Sequence, residues 1–187
     1  LSISWVFSAY SMAMIHIIPY SGVLGVPALQ AALGLSCLGV GTIAGRISAG
    51  TLSDRFGRTF TLMACLGFEA LGIFSLLAVS GVWTLYAAMF LIGVGYGGSV
   101  VLSSVILGDF FGLKHLGAIT GVWLTHGALA GPLGPLLGGV VFDVTSSYFW
   151  AILMAGLLCT LAMVVAALLR PPQRTVNHST GGGLSQG

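Results

Sequence analysis

Four ionisable residues stand inside long apolar stretches of this 187-residue chain: His16, Arg46, Glu69 and His126. A charge held in hydrocarbon is costly, so each asks for a counter-charge, a hydrogen-bond partner or a water-filled cavity. Arg46 and Glu69 fall at matching distances from Gly57, on what would be two adjacent antiparallel helices, and one reading pairs them across that interface. A second reading has the Arg46 stem snorkelling toward the nearer membrane face. Glu69 is then either a structural partner or a carboxylate that takes up and releases a proton. His126, in Leu124-Thr125-His126-Gly127, would carry a charge that depends on protonation or would sit neutral, hydrogen-bonded to a neighbouring helix. His16 lies near the end of the first apolar stretch, where an interfacial role competes with a functional one.

A denser polar cluster, Gly50-Thr51-Leu52-Ser53-Asp54-Arg55-Phe56-Gly57-Arg58, separates two of these stretches. Its order has a physical sense. Gly50 would remove a side chain where two helices cross closely. Asp54 is placed to accept from the free N–H groups at the start of a helix. Arg55 and Arg58 would hold the turn on the positive side of a membrane, and Gly57 would permit a tight backbone.

The elements that position these residues follow from composition. With 57% hydrophobic and 5% charged residues and a mean hydropathy of +1.06, the chain departs from soluble domains, in which roughly 25% of residues are charged. It reads as an integral membrane protein. A helix needs about 20 apolar residues to cross the hydrocarbon, and cutting the sequence at Pro, Gly clusters and charges leaves six spans. They cover about 1–18, 28–52, 60–80, 83–107, 117–141 and 148–169, with a polar tail at 171–187 that reads as disordered. Arg55 and Arg58 follow the second span, Lys114 the fourth, and Arg170 and Arg174 the sixth, whereas the other connections carry no Lys or Arg. The positive-inside rule therefore places both ends of the chain in the cytoplasm, and the bilayer is its first partner. Trp83, Tyr86, Tyr148 and Trp150 cluster toward the opposite face, as interfacial or as ordinary packing aromatics.

Six spans, the G-x-x-x-D-R-x-G-R loop after the second, and the Gly134-Pro135-Leu136-Leu137-Gly138-Gly139 stretch of the fifth together resemble one half of a major facilitator superfamily transporter. The resemblance covers about 1–172. The ending Asp143-Val144-Thr145-Ser146-Ser147-Tyr148 is similar to that of C-terminal halves in the oxalate/formate antiporter and monocarboxylate transporter branch. It implies an all-α fold of two inverted three-helix repeats, a missing N-terminal half, and a site near the midplane between halves. It also implies alternating access for a small organic anion, driven by protons or by anion exchange, at the plasma membrane. In that branch a basic residue on the second helix engages the substrate carboxylate, which makes Arg46 the candidate. A lysine of the resembled antiporters stands where this chain has His126, a departure that fits a monoanion better than a dicarboxylate. Tyr96 and Ser99, from the glycine-rich fourth span, would face the pathway, and His16 would gate entry. The small residues Gly127, Gly131, Gly134, Gly138 and Gly139 would pack helices closely, with Pro132 and Pro135 softening a gate. A drug, sugar or other neutral-solute transporter of the same superfamily is one alternative. A sensor or assembly subunit that uses the fold without transporting is another.

Other function classes find little support. Gly93-Val94-Gly95-Tyr96-Gly97-Gly98 matches G-x-G-x-x-G but lies inside an apolar span with no preceding strand, so it is no dinucleotide fingerprint. Cys37, Cys65 and Cys159 sit in three separate spans without metal-ligand spacing, and no cofactor is called for. No carboxylate pair or nucleophile set lies at one depth, which argues against an enzyme. Six basic residues leave no footprint for nucleic acid.

Overall fold

The computed structural model describes residues 4–23, 25–112, 114 and 116–168. These form six α-helices: α1 (Ser4–Val23), α2 (Ala28–Phe56), α3 (Arg58–Leu76), α4 (Val82–Phe111), α5 (Leu116–Thr145) and α6 (Tyr148–Leu168). Helices α2 to α6 are each long and apolar enough to cross a membrane. The tail expected at 171–187 lies outside the described residues. Of the aromatics expected at the outer face, Trp83 is 84% exposed and Trp150 is 55% exposed.

Five span ends differ from expectation by four or five residues: α1, α2, α4 and α5 run on to Val23, Phe56, Phe111 and Thr145, and α3 stops at Leu76. The turn expected at Pro19 to Gly22 is helical, and α1 runs through Pro19 to Val23. A proline near a helix end costs one N–H, the one that would bond to the Ile15 carbonyl, and the carbonyls beyond it are met by local hydroxyls and turns. Here Ser21 donates to the Ile18 carbonyl at 2.7 Å, and the Val26 N–H bonds back to Ser21 O at 2.9 Å. Helix α2 likewise continues past Leu52 to Phe56, so most of the polar cluster is helix rather than loop.

Packing follows the small residues. Helix α2 lies chiefly on α4, α5 chiefly on α1, and α3 on both α4 and α6. Exchanging α1–α3 for α4–α6 turns the first of these contacts into the second, the pattern two equivalent three-helix units produce. The α2/α4 contact is made by glycines one turn apart on both helices. A Cβ on Gly41 or Gly45 would strike the carbonyls of Phe90 or Val94, and one on Gly93 or Gly97 the carbonyls of Leu38 or Thr42. Gly95, half a turn from these, brings α4 against Glu69 and Cys65 of α3 instead. Lipid tails are as apolar as leucine, so helices in a bilayer associate through such backbone approach and not through water exclusion.

The α5/α1 contact is built differently. Gly127, Ala130, Gly134 and Gly138 make one buried stripe. Along it three side chains of α1 donate to α5 carbonyls: Ser8 to Ala130, Ser11 to Gly131 at 2.5 Å, and His16 Nε2 to Pro135 at 3.0 Å. Pro135 has no N–H to give the Gly131 carbonyl, and Ser11 supplies the missing donor. Gly131 thus contributes a carbonyl and not the packing surface expected of it. A Cβ on Gly131 or Gly139 would meet nothing within 4 Å, so neither is a close-packing position.

Candidate functional site

The connection from α2 to α3 is Gly57 alone, with φ of 90°. The connection beyond α4 starts at Gly112, whose φ is 77°. Both lie in the left-handed region that only glycine enters freely. Each glycine N–H closes the preceding helix at 3.0 Å, on Ser53 O and Gly108 O respectively. Three residues before each glycine stands an aspartate, Asp54 and Asp109. Arg58, the first residue of α3, forms a salt bridge with Asp109 near the end of α4. The clasp ties both glycine turns together at one face of the bundle.

This arrangement corrects two readings of the cluster. Asp54 does not cap a helix start, because α2 extends to Phe56 and puts Asp54 in its last turn, and α3 opens at Gly57 with no side-chain cap. Gly50 is not at a helix crossing: a Cβ there would meet nothing within 4 Å, and the close approach lies earlier on the helix, at Gly41 and Gly45. The signal that finds it is the Gly41-x-x-x-Gly45 spacing matched by Gly93-x-x-x-Gly97. Arg55 is exposed, its guanidinium 5.5 Å from the Phe56 ring.

Deeper in the bundle, Arg46 is exposed on α2 and makes no ion pair among the described residues. Glu69, at similar depth on α3, is 0% exposed, and neither carboxylate oxygen has a hydrogen-bond partner. The Arg46–Glu69 pair is therefore not formed. The two side chains occupy opposite environments: the Glu69 backbone is pressed against Gly95 of α4, while Arg46 follows buried Gly45 on a face turned out of the bundle. Between α1 and α4 the rings of Tyr10 and Tyr96 stack with centroids 3.6 Å apart, both half-buried. Their hydroxyls lie within electrostatic reach of Arg46 and of Glu69 alike. Tyr10 was not distinguishable in the sequence, because nothing in Ser8-Ala9-Tyr10-Ser11 separates a site tyrosine from a packing one.

The remaining candidates disperse. Ser99 does not face an open pathway: it is 1% exposed and donates to Tyr96 O of its own helix at 2.9 Å. His126 is half-buried on α5 beside an open groove of about 470 Å³ lined also by Leu107, Phe111, Val122 and Trp123. It is not brought to Arg46, since α5 packs chiefly on α1 while α2 packs on α4. His16 stands at the other end of α1, where its ring approaches Tyr148 at 5.7 Å and borders a cavity of about 20 Å³, room for a single water. Its bond to Pro135 O makes it a clasp between α1 and α5. No group of His, Cys, Asp and Glu able to hold a metal occurs among the described residues.

Residues 1–185 match the Major Facilitator Superfamily. Monocarboxylate transporter 12 of Xenopus laevis is 30% identical over 96% of this chain and 42% of its own length. Monocarboxylate transporter 7 of Homo sapiens is 27% identical over 84% of the chain and 31% of its own. The vacuolar membrane amino acid uptake transporter fnx2 of Schizosaccharomyces pombe is 30% identical over 64% and 20%. The chain spans less than half the length of these relatives. With five helices long and apolar enough to cross a membrane and the family match together, it is an integral membrane protein and belongs to the major facilitator superfamily of transporters.

Proposed function

We propose that this chain is the C-terminal six-helix half of a plasma-membrane secondary transporter that carries a small organic anion, a monocarboxylate or an oxalate/formate-like species, by alternating access. The observation that carries the reading is Arg46: an arginine inside an apolar helix, exposed on the bundle face, without an ion pair among the described residues. A permanently charged guanidinium in that setting attracts a carboxylate and can hold it by two parallel hydrogen bonds. The Tyr10–Tyr96 stack beside it offers an aromatic wall with hydroxyl edges, which orients a short carbon chain while the anion meets the arginine. His126, on a separate helix, would add a second contact only in conformations that bring α5 toward the site, with a charge set by protonation. The Arg58–Asp109 clasp would hold the cytoplasmic ends of α3 and α4 as a unit while the two halves of the transporter rock. The names of the two monocarboxylate transporter relatives agree with this substrate class.

The test is uptake of radiolabelled monocarboxylates and oxalate into proteoliposomes holding the full-length protein, wild type against Arg46→Gln at equal incorporation. Saturable uptake that disappears in the folded variant supports Arg46 as the anion site. Undiminished uptake returns Arg46 to a structural role, and no carboxylate uptake by the wild type favours a neutral-solute transporter.

A further inference from the structure

Glu69 is the one fully buried acidic residue among those described, and the anion site just proposed does not use it. It is 0% exposed on α3, a helix packed against α4, α6 and α2. Among the described residues, neither these helices nor α1 beyond them brings a cation into an ion pair with it. The titratable groups within its electrostatic influence are the Tyr96 hydroxyl of α4, the Tyr10 hydroxyl of α1, the Cys159 thiol of α6 and the Cys65 thiol of α3. None of these is a cation. Arg46 of α2 is within electrostatic influence of the two tyrosine hydroxyls but forms no ion pair with Glu69. Both carboxylate oxygens lack any hydrogen-bond partner.

An ionised carboxylate in that position would bear the full cost of desolvation with nothing to offset it, several kcal/mol at about the least. A protonated carboxyl carries no charge and loses only hydrogen bonds. The packed conformation is therefore compatible with a proton on Glu69 and not with its absence. The site is also built to keep water out. Gly95 lets the α4 backbone close directly over the Glu69 backbone and Cβ, and any side chain at that glycine would force the two helices apart. The half-buried Tyr10–Tyr96 stack lies between α1 and α4, and its hydroxyls are within electrostatic influence of both Glu69 and Arg46.

We propose that Glu69 is the proton-carrying site of the transporter, loaded in the conformation described here and unloaded when the rocking of the two halves admits water past Tyr10 and Tyr96. The proton moves between water and the carboxyl oxygen, and no other bond changes. Proton and anion are thereby coupled: a carboxylate bound at Arg46, at similar depth on α2, offsets the guanidinium's positive charge and so favours keeping the proton on Glu69 while the anion is bound. The transported pair is one proton with one anion. This rests on the anion reading of Arg46 for its second half and on the burial of Glu69 alone for its first.

Two measurements on the full-length protein separate those halves. Infrared spectroscopy in lipid at neutral pH should show the C=O stretch of a protonated carboxylic acid that is missing from Glu69→Gln; its absence in the wild type overturns the proposal. In proteoliposomes the wild type should accumulate its anion about tenfold for each pH unit imposed, the limit for one proton per anion. Glu69→Gln, which keeps the shape and mimics the loaded state, should exchange internal for external anion at near wild-type rate yet lose accumulation driven by the pH gradient. A variant that still accumulates, with lumenal acidification seen by a trapped pH dye, overturns the coupling. If the wild type carries no carboxylate but the infrared band is present, the anion reading fails while the proton site stands.

Discussion

Gly97→Ala should damage this protein more than any comparable change in the polar cluster that first draws attention in its sequence. A Cβ built on Gly97 points at the Thr42 carbonyl of α2, with Thr42 Cα at 2.9 Å. Ordinary van der Waals contact begins near 3.4 Å. The obstacle is backbone, which cannot rotate away as a side chain can, so the two helices must separate along their main contact. Gly93, one turn away, meets Leu38 in the same manner, which means the separation strips neighbouring contacts as well. Overpacking of this kind costs about 1–3 kcal/mol, and with the helices held by little besides this approach the upper end is expected: about 3 kcal/mol, on the order of a hundredfold in the folded population. Gly50→Ala is the internal control, because its Cβ meets nothing within 4 Å and alanine in a helix gains about 0.5–1 kcal/mol over glycine. The assay is the fraction of full-length protein remaining monodisperse in mild detergent after heating, read by fluorescence-detected size exclusion. Gly97→Ala should melt well below wild type and Gly50→Ala at or slightly above it. Equal melting of the two variants would refute the claim that glycine-mediated backbone contact holds α2 to α4.

Ser11→Ala should cost about 1–3 kcal/mol, because it orphans a Gly131 carbonyl already deprived of a backbone donor by Pro135. Pro135→Ala restores that donor, so the same assay on the double variant should show Ser11→Ala costing much less than in the wild type. Arg58→Asp or Asp109→Arg alone should place two like charges at the clasp and lower both stability and transport, and the exchanged pair should recover most of the loss; no recovery would mean that the clasp is incidental.

How far the site was legible from sequence differs residue by residue. Arg46 and Glu69 were visible as anomalies, since ionisable groups inside apolar helices stand out whatever the fold, but which way each faced was not. The distance from Gly57 made them plausible partners. Depth along two antiparallel helices fixes one coordinate of a side chain, and rotation about each helix axis fixes the other. Packing of Gly45 onto α4 turned Arg46 outward, and packing of Gly95 onto α3 enclosed Glu69. Ser99 failed for the same reason: its proximity to Tyr96 in sequence put it one turn away on the buried face. The Gly131 and Gly139 readings took every small residue of α5 as a contact, whereas a helix has one stripe for one neighbour, and Ala130, Gly134 and Gly138 occupy it.

The sequence by itself determined the membrane class and the helix count, because a bilayer demands long apolar segments whose backbone polar groups are satisfied within each segment, and that requirement is local. It also determined the glycine turn at Gly57, a matter of one residue's permitted φ. Only the tertiary structure decided that Arg58 reaches Asp109 on another helix, that Tyr10 stacks on Tyr96, and that Glu69 is left without a partner. These depend on which faces of six similar apolar helices meet, and in lipid that choice rests on small-residue shape complementarity spread over distant positions and not on a hydrophobic pattern that can be read along the chain.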